Sequence, residues 1–86
     1  MNCQLCLREV EKLTLHHLIP KSEDGRYSEK VEICSPCHRQ IHVLYDHKRL
    51  ARELNTLDKL RSEPKMQKFL NWVRKQKPNK RIKVRS

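Results

Sequence analysis

Cys34-Ser35-Pro36-Cys37-His38-Arg39-Gln40-Ile41-His42 combines two metal-binding patterns in one short stretch. Cys34 and Cys37 form a C-x-x-C knuckle, and thiolates at that spacing both reach one tetrahedral Zn²⁺. His38 and His42 follow at i, i+4. On a helix that spacing puts both imidazoles on one face, as a pair able to grip a second metal ion. A closed zinc site needs four ligands, so a second thiol pair is required elsewhere. Cys3 and Cys6 supply it as another C-x-x-C. Between the two knuckles lies Leu15-His16-His17-Leu18-Ile19-Pro20, an apolar segment with adjacent histidines at its centre.

Composition narrows the reading. Eighty-six residues make one domain at most. Only 36% are apolar while 35% are charged, so the core is thin and a chemical staple is expected. All four cysteines fall into the two C-x-x-C pairs. Met1-Asn2-Cys3-Gln4 leads straight into the first knuckle without a signal-peptide pattern, and no apolar run reaches membrane-spanning length. The expected setting is cytoplasmic, where such thiols hold zinc rather than form disulfides. Redox-active thiols are the competing reading, disfavoured because neither pair sits in a βαβ pattern. Lysine and arginine number 20 against 10 acidic residues, a net charge of +10. That excess implies a polyanionic partner, most often nucleic acid.

Along the chain, residues 1–9 read as a tight turn between two short extended pieces. Val10 to Ile19 suits a strand that Pro20 stops. Residues 21–26 read as a loop, with Gly25, the chain's one glycine, supplying the turn after Asp24. Val31-Glu32-Ile33 alternates as a short strand, and Pro36 and Cys37 open a helix carrying His38, Ile41, His42 and Tyr45. From Asp46 the period is helical. Leu50, Leu54 and Leu57 share a face, Thr56 caps a fresh helix, and Pro64 starts another. In that last helix Met66, Phe69, Leu70 and Val73 form the apolar stripe, with Trp72 read as packing beside them. The final 13 residues carry seven cations and no acid, so residues 78–86 are expected to form a basic arm outside the core.

The order C-x-x-C, Leu-His-His-Leu-Ile-Pro, Ile-Cys-Ser-Pro-Cys-His-Arg-Gln-Ile-His resembles HNH endonucleases of the zinc-knuckle kind, over residues 3 to 42. The resemblance implies an α+β fold: a ββα-metal (His-Me finger) core in which a hairpin and a helix clasp one catalytic divalent ion. A four-cysteine zinc knuckle made by Cys3, Cys6, Cys34 and Cys37 would buttress it within residues 1–45. Residues 46–77 would be a helical extension of the same domain. It implies His17 as general base, with His16, His38 and His42 as ligands of a Mg²⁺, Mn²⁺ or Ni²⁺ ion. His38 has the alternatives of facing phosphate or of making a supporting hydrogen bond. Adjacent strand residues point to opposite faces, so His16 and His17 are expected to divide these tasks. His47 falls outside the motif.

One position departs from the family pattern. Glu29, preceded by Ser28, stands where the family's central Asn holds the loop carrying the base. Asn donates and accepts hydrogen bonds, whereas ionised Glu only accepts. Either Glu29 braces the loop differently, giving it a catalytic part, or Tyr27 or Ser28 holds the loop. The chemistry is coherent either way: a histidine can activate water, and one divalent ion can stabilise phosphate charge and the leaving oxygen. The expectation is cleavage or nicking of double-stranded DNA with weak sequence preference, and no membrane role. A zinc-knuckle nucleic-acid-binding module that does not cut is the alternative.

Overall fold

A computed structural model describes residues 1–25 and 27–76. Two strands, β1 (Thr14–His17) and β2 (Lys30–Ile33), pair antiparallel in the register Thr14↔Ile33, Leu15↔Glu32, His16↔Val31 and His17↔Lys30. Four helices follow: α1 (Ser35–Leu44), α2 (His47–Glu53), α3 (Leu57–Ser62) and α4 (Pro64–Val73). Ahead of the hairpin, Asn2 and Glu9 form an isolated antiparallel bridge around the first knuckle. The architecture is therefore a small α+β fold of the ββα-metal kind with a helical extension.

The hairpin's two faces separate its residues. His16, Val31 and Ile33 are buried on the inner face, while Leu15, Glu32 and Lys30 are exposed on the outer one. The strand is shorter than Val10 to Ile19, the span read from the sequence. Only Thr14–His17 has β2 alongside it, because β2 itself begins at Lys30. Between the strands, Lys21–Glu23 forms a single 3₁₀ turn rather than open loop. Its left-handed residue is Asp24, at φ 63°, so Gly25 is not the residue that turns the chain. Glycine is needed there for space. A Cβ on Gly25 would lie 1.7 Å from the Ile19 carbonyl oxygen, and the Gly25 N–H donates to Pro20 O at 3.0 Å.

Each helix begins where local chemistry provides a start. Pro36 lies in the first turn of α1, whose N-cap Cys34 makes no side-chain cap bond. Tyr45 is the C-cap of that helix and not a member of it. Asp46 accepts from Arg49 N at 2.7 Å to cap α2, and Thr56 accepts from Lys59 N at 3.1 Å to cap α3. Pro64 opens α4 behind the cap Glu63. Met66, Phe69, Leu70 and Val73 are buried and form one core with Ile41, Leu50, Leu54, Leu60 and the four cysteines. Trp72 departs from the core position read for it. It is 44% exposed and only edges Phe69, at 5.9 Å between ring centroids. Tyr45 ties the end of α1 to the start of α4 by donating to Glu63 Oε1 at 2.6 Å. The basic arm expected over residues 78–86 lies outside the described residues.

Candidate metal centres

The four cysteine sulfurs converge within 4.8 Å of one another, with Cys3 and Cys37 at 3.9 Å and Cys6 and Cys34 at 3.8 Å. Zn–S bonds of about 2.3 Å arranged tetrahedrally separate sulfurs by about 3.8 Å, so the cage has zinc's dimensions. All four are buried free thiols. The N–H groups of Cys6 and Cys34 both donate to Cys3 Sγ at 3.3 Å. Hydrogen bonding among the thiols, from Cys34 foremost, brings Cys3 down to about 6. Cys37, facing the sulfur of Cys3 and desolvated, is pushed up instead. A dication removes that conflict by letting all four ionise.

Sequence reasoning missed Arg8. It is buried, and donates from Nε to Cys6 Sγ at 3.5 Å and from Nη2 to Cys34 Sγ at 3.7 Å. A four-thiolate zinc centre carries two excess negative charges, and a guanidinium against two of its sulfurs offsets part of them. A single arginine just after the first knuckle carries no local signal of this task.

The second cluster lies between β1 and α1. His16 projects inward from the strand, and His38 and His42 come from one face of α1. One ring nitrogen of each lies within 4.8 Å of the others. Ring centroids are 5.3 Å apart for His16 and His38, 5.5 Å for His16 and His42, and 5.0 Å for His38 and His42. His16 is 1% exposed, and its Nε2 is buried without a hydrogen-bond partner among the described residues. An orphaned buried nitrogen is costly unless an ion takes its lone pair. Burial first, then the neighbouring histidines, brings His16 down to about 4. Burial is also the main cause lowering His38 and His42. Neutral imidazoles are what a divalent ion requires.

Thr14, also missed from the sequence, sets the orientation of His38. Its hydroxyl donates to Ile33 O at 2.9 Å and so must accept from His38 Nδ1–H at 2.8 Å. That bond leaves Nε2 of His38 with the free lone pair, the usual supporting arrangement for a ligating histidine. His38 therefore combines reach toward the cluster with the supporting bond. A cavity of about 310 Å³, lined by Thr14, Ser35, His38, Arg39 and His42, opens beside the three histidines. The two centres thus differ in kind. The four-cysteine cage is closed, whereas the three-histidine set is open on one side, as a site with exchangeable positions must be.

The remaining positions divide clearly. His17, the last residue of β1, is half-buried, does not join the three-histidine cluster, and lies within electrostatic reach of His16 and His38. Glu29 is exposed, and its part in the loop is made by the backbone, which accepts from Leu18 N–H at 3.0 Å. The side chain that braces the loop is Ser28. Its hydroxyl donates to Ile19 O at 3.1 Å and accepts from Ile19 N–H at 3.4 Å, two residues beyond His17. Tyr27 is 91% exposed. His47, on α2, is paired through Nδ1 with Ser22 Oγ at 2.7 Å, and its ring lies 5.7 Å from that of His42.

Comparison with known proteins places these centres in context. The family model described as HNH endonuclease matches residues 3–44, which span both cysteine pairs and all three clustered histidines. The uncharacterized protein YisB of Bacillus subtilis (strain 168) is 47% identical over 83 residues, covering 96% of this chain and 83% of that protein. No solved structure gives a significant match.

Proposed function

The chain belongs to the HNH endonuclease family, and from that premise we propose that it is a metal-dependent endonuclease hydrolysing DNA phosphodiester bonds. The observation carrying this reading is the convergence of His16, whose Nε2 is buried and partnerless among the described residues, with His38 and His42 beside an open cavity. Zinc in the four-cysteine cage has a structural part, holding the start of the chain against the start of α1. In the histidine site His16, His38 and His42 would hold a Mg²⁺, Mn²⁺ or Ni²⁺ ion. When bound, such an ion supplies Lewis-acid stabilisation of the charge that develops on the phosphate.

His17 is the general base, taking a proton from the attacking water. Its place next to a ligand residue, but on the opposite strand face, keeps its ring out of the ligand set. Ser28 holds the peptide of Ile19 from both its polar groups, and so fixes the backbone that follows the base. Thr14 fixes the ring of His38. Arg39, lining the cavity, is positioned to meet phosphate oxygens. The net charge of +10 favours binding of duplex DNA with little sequence preference.

Plasmid cleavage across a Mg²⁺, Mn²⁺ and Ni²⁺ series, with calorimetric metal titration, tests the assignment. His17→Ala should lose about 10²–10⁴-fold in rate and keep its metal affinity. His42→Ala should bind the ion more weakly and regain part of its rate at high Mn²⁺. Loss of metal binding in His17→Ala, with retention in His42→Ala, would reverse the roles. If the parent cuts nothing with any ion yet binds DNA, the chain is a binding module. The exposure of Glu29, at the position the family gives to Asn, is the observation favouring that outcome.

A further inference from the structure

We propose that the groove between α3 and α4 is a second phosphate site, which grips the DNA backbone away from the cleaved bond. The inference rests on the reading of DNA as substrate and adds a task for the helical extension. The groove has a volume of about 340 Å³ and is lined by Arg61, Gln67, Leu70, Asn71 and Arg74. Gln67, Asn71 and Arg74 recur at i, i+4 and i+7 along α4 and its C-cap, so one face presents two amides and a guanidinium. Arg61 faces them from α3. Among the described residues, buried Leu70 is the only apolar member of the lining, and no carboxylate takes part in it.

Both guanidiniums are held in place by the first zinc knuckle. Arg61 Nη2 donates to Gln4 O at 2.7 Å, and Arg74 Nε donates to Cys6 O at 3.1 Å. These two carbonyls lie two residues apart on one tight turn, so the knuckle sets the spacing of the arginines. Asp58 neutralises part of Arg61 through Oδ1 at 3.3 Å, but from an almost fully exposed position. Arg61 Nε is buried and has no hydrogen-bond partner among the described residues. Among the described residues, the hydrogen bond of Arg74 Nε leaves its terminal Nη groups as further donors. The C-terminal carbonyls of α4 repel an anion, and the guanidinium of Arg74 at that end offsets them. Two arginines anchored before binding, with two amides beside them, offer donors that suit phosphate oxygens. With no aromatic residue among the described residues of the lining, the groove offers there nothing on which a base would stack.

The test is the salt dependence of binding to a short DNA duplex, without added divalent ion, by fluorescence anisotropy. The Arg61→Gln, Arg74→Gln double variant should bind more weakly. Its log–log salt slope should be shallower by about 0.9, the value of one lost phosphate contact. An Arg61→Lys, Arg74→Lys variant should keep the slope. Zinc content and the amide NMR spectrum of each variant check that the fold persists. In the parent, the side-chain amide resonances of Gln67 and Asn71 should shift on adding duplex. An unchanged slope in the double variant, or unshifted amides, would overturn the groove while leaving the nuclease reading intact. A parent that binds no DNA would overturn both.

Discussion

Thr14→Val is the most discriminating single change, because it alters the proposed ion site without touching any of its three histidines. Valine keeps the β-branched shape that suits β1 but removes the hydroxyl. Two hydrogen bonds go with it: 2.9 Å to the Ile33 carbonyl and 2.8 Å from His38 Nδ1. Loss of the first should cost about 1 kcal/mol of stability, the low end for an unsatisfied acceptor, because Thr14 is only half-buried. Loss of the second frees the ring of His38 and the choice of which nitrogen carries the proton. Removing such supporting bonds typically weakens metal binding by about 10–100-fold, or about 1.4–2.7 kcal/mol. Mn²⁺ titration calorimetry should therefore show that loss for Thr14→Val. Thr14→Ser, which restores the hydroxyl, should bind nearly as the parent does. Plasmid cleavage by Thr14→Val should approach the parent rate once Mn²⁺ is raised enough to refill the site. Parent-like Mn²⁺ binding by Thr14→Val, or equally weak binding by Thr14→Ser, would refute the supporting role of the hydroxyl.

Four other outcomes are expected. The purified protein should carry about one tightly held zinc, and Cys34→Ser should unfold because zinc binding energy is folding energy here; a folded, zinc-free variant would contradict the four-cysteine assignment. Ser28→Ala should lower the cleavage rate while leaving Mn²⁺ affinity unchanged, and Ser28→Thr or Ser28→Asn, which can also donate and accept, should recover part of the rate; recovery by neither would remove the bracing role. Gly25→Ala drives a Cβ into the Ile19 carbonyl, so it should destabilise the loop by roughly 1–3 kcal/mol in urea unfolding and reduce cleavage with it. With zinc in the four-cysteine cage and no ion at the histidines, His16 is held at about 4 in the fold against an ordinary 6.5, so between those values the unfolded chain binds more protons and stability rises with pH. The slope should be up to about 1.4 kcal/mol per pH unit, and a stability difference between parent and His16→Gln that stays flat over that range would contradict it.

Features whose chemistry depends on fixed spacing were legible in the sequence. Two C-x-x-C pairs specify a four-sulfur cage because zinc demands four ligands, and the cage is there. His38 and His42 share a face because the helical period puts them there. Thr56 and Pro64 start helices because capping and a preset φ act within one turn. Contacts between residues far apart in the chain were set by packing. Arg8 meets Cys34 across 26 positions and Thr14 meets His38 across 24, and neither residue type announces such a partner. The choice of Ser28 to brace the loop, where Glu29 was the marked position, followed from which side chain faced Ile19. Gly25 is required by the approach of another stretch of backbone and not by its own dihedral angles. Trp72 lies outside the core because the stripe of α4 was already filled by Met66, Phe69, Leu70 and Val73. Local rules state which groups a segment can offer, but three-dimensional packing decides which of those groups meet.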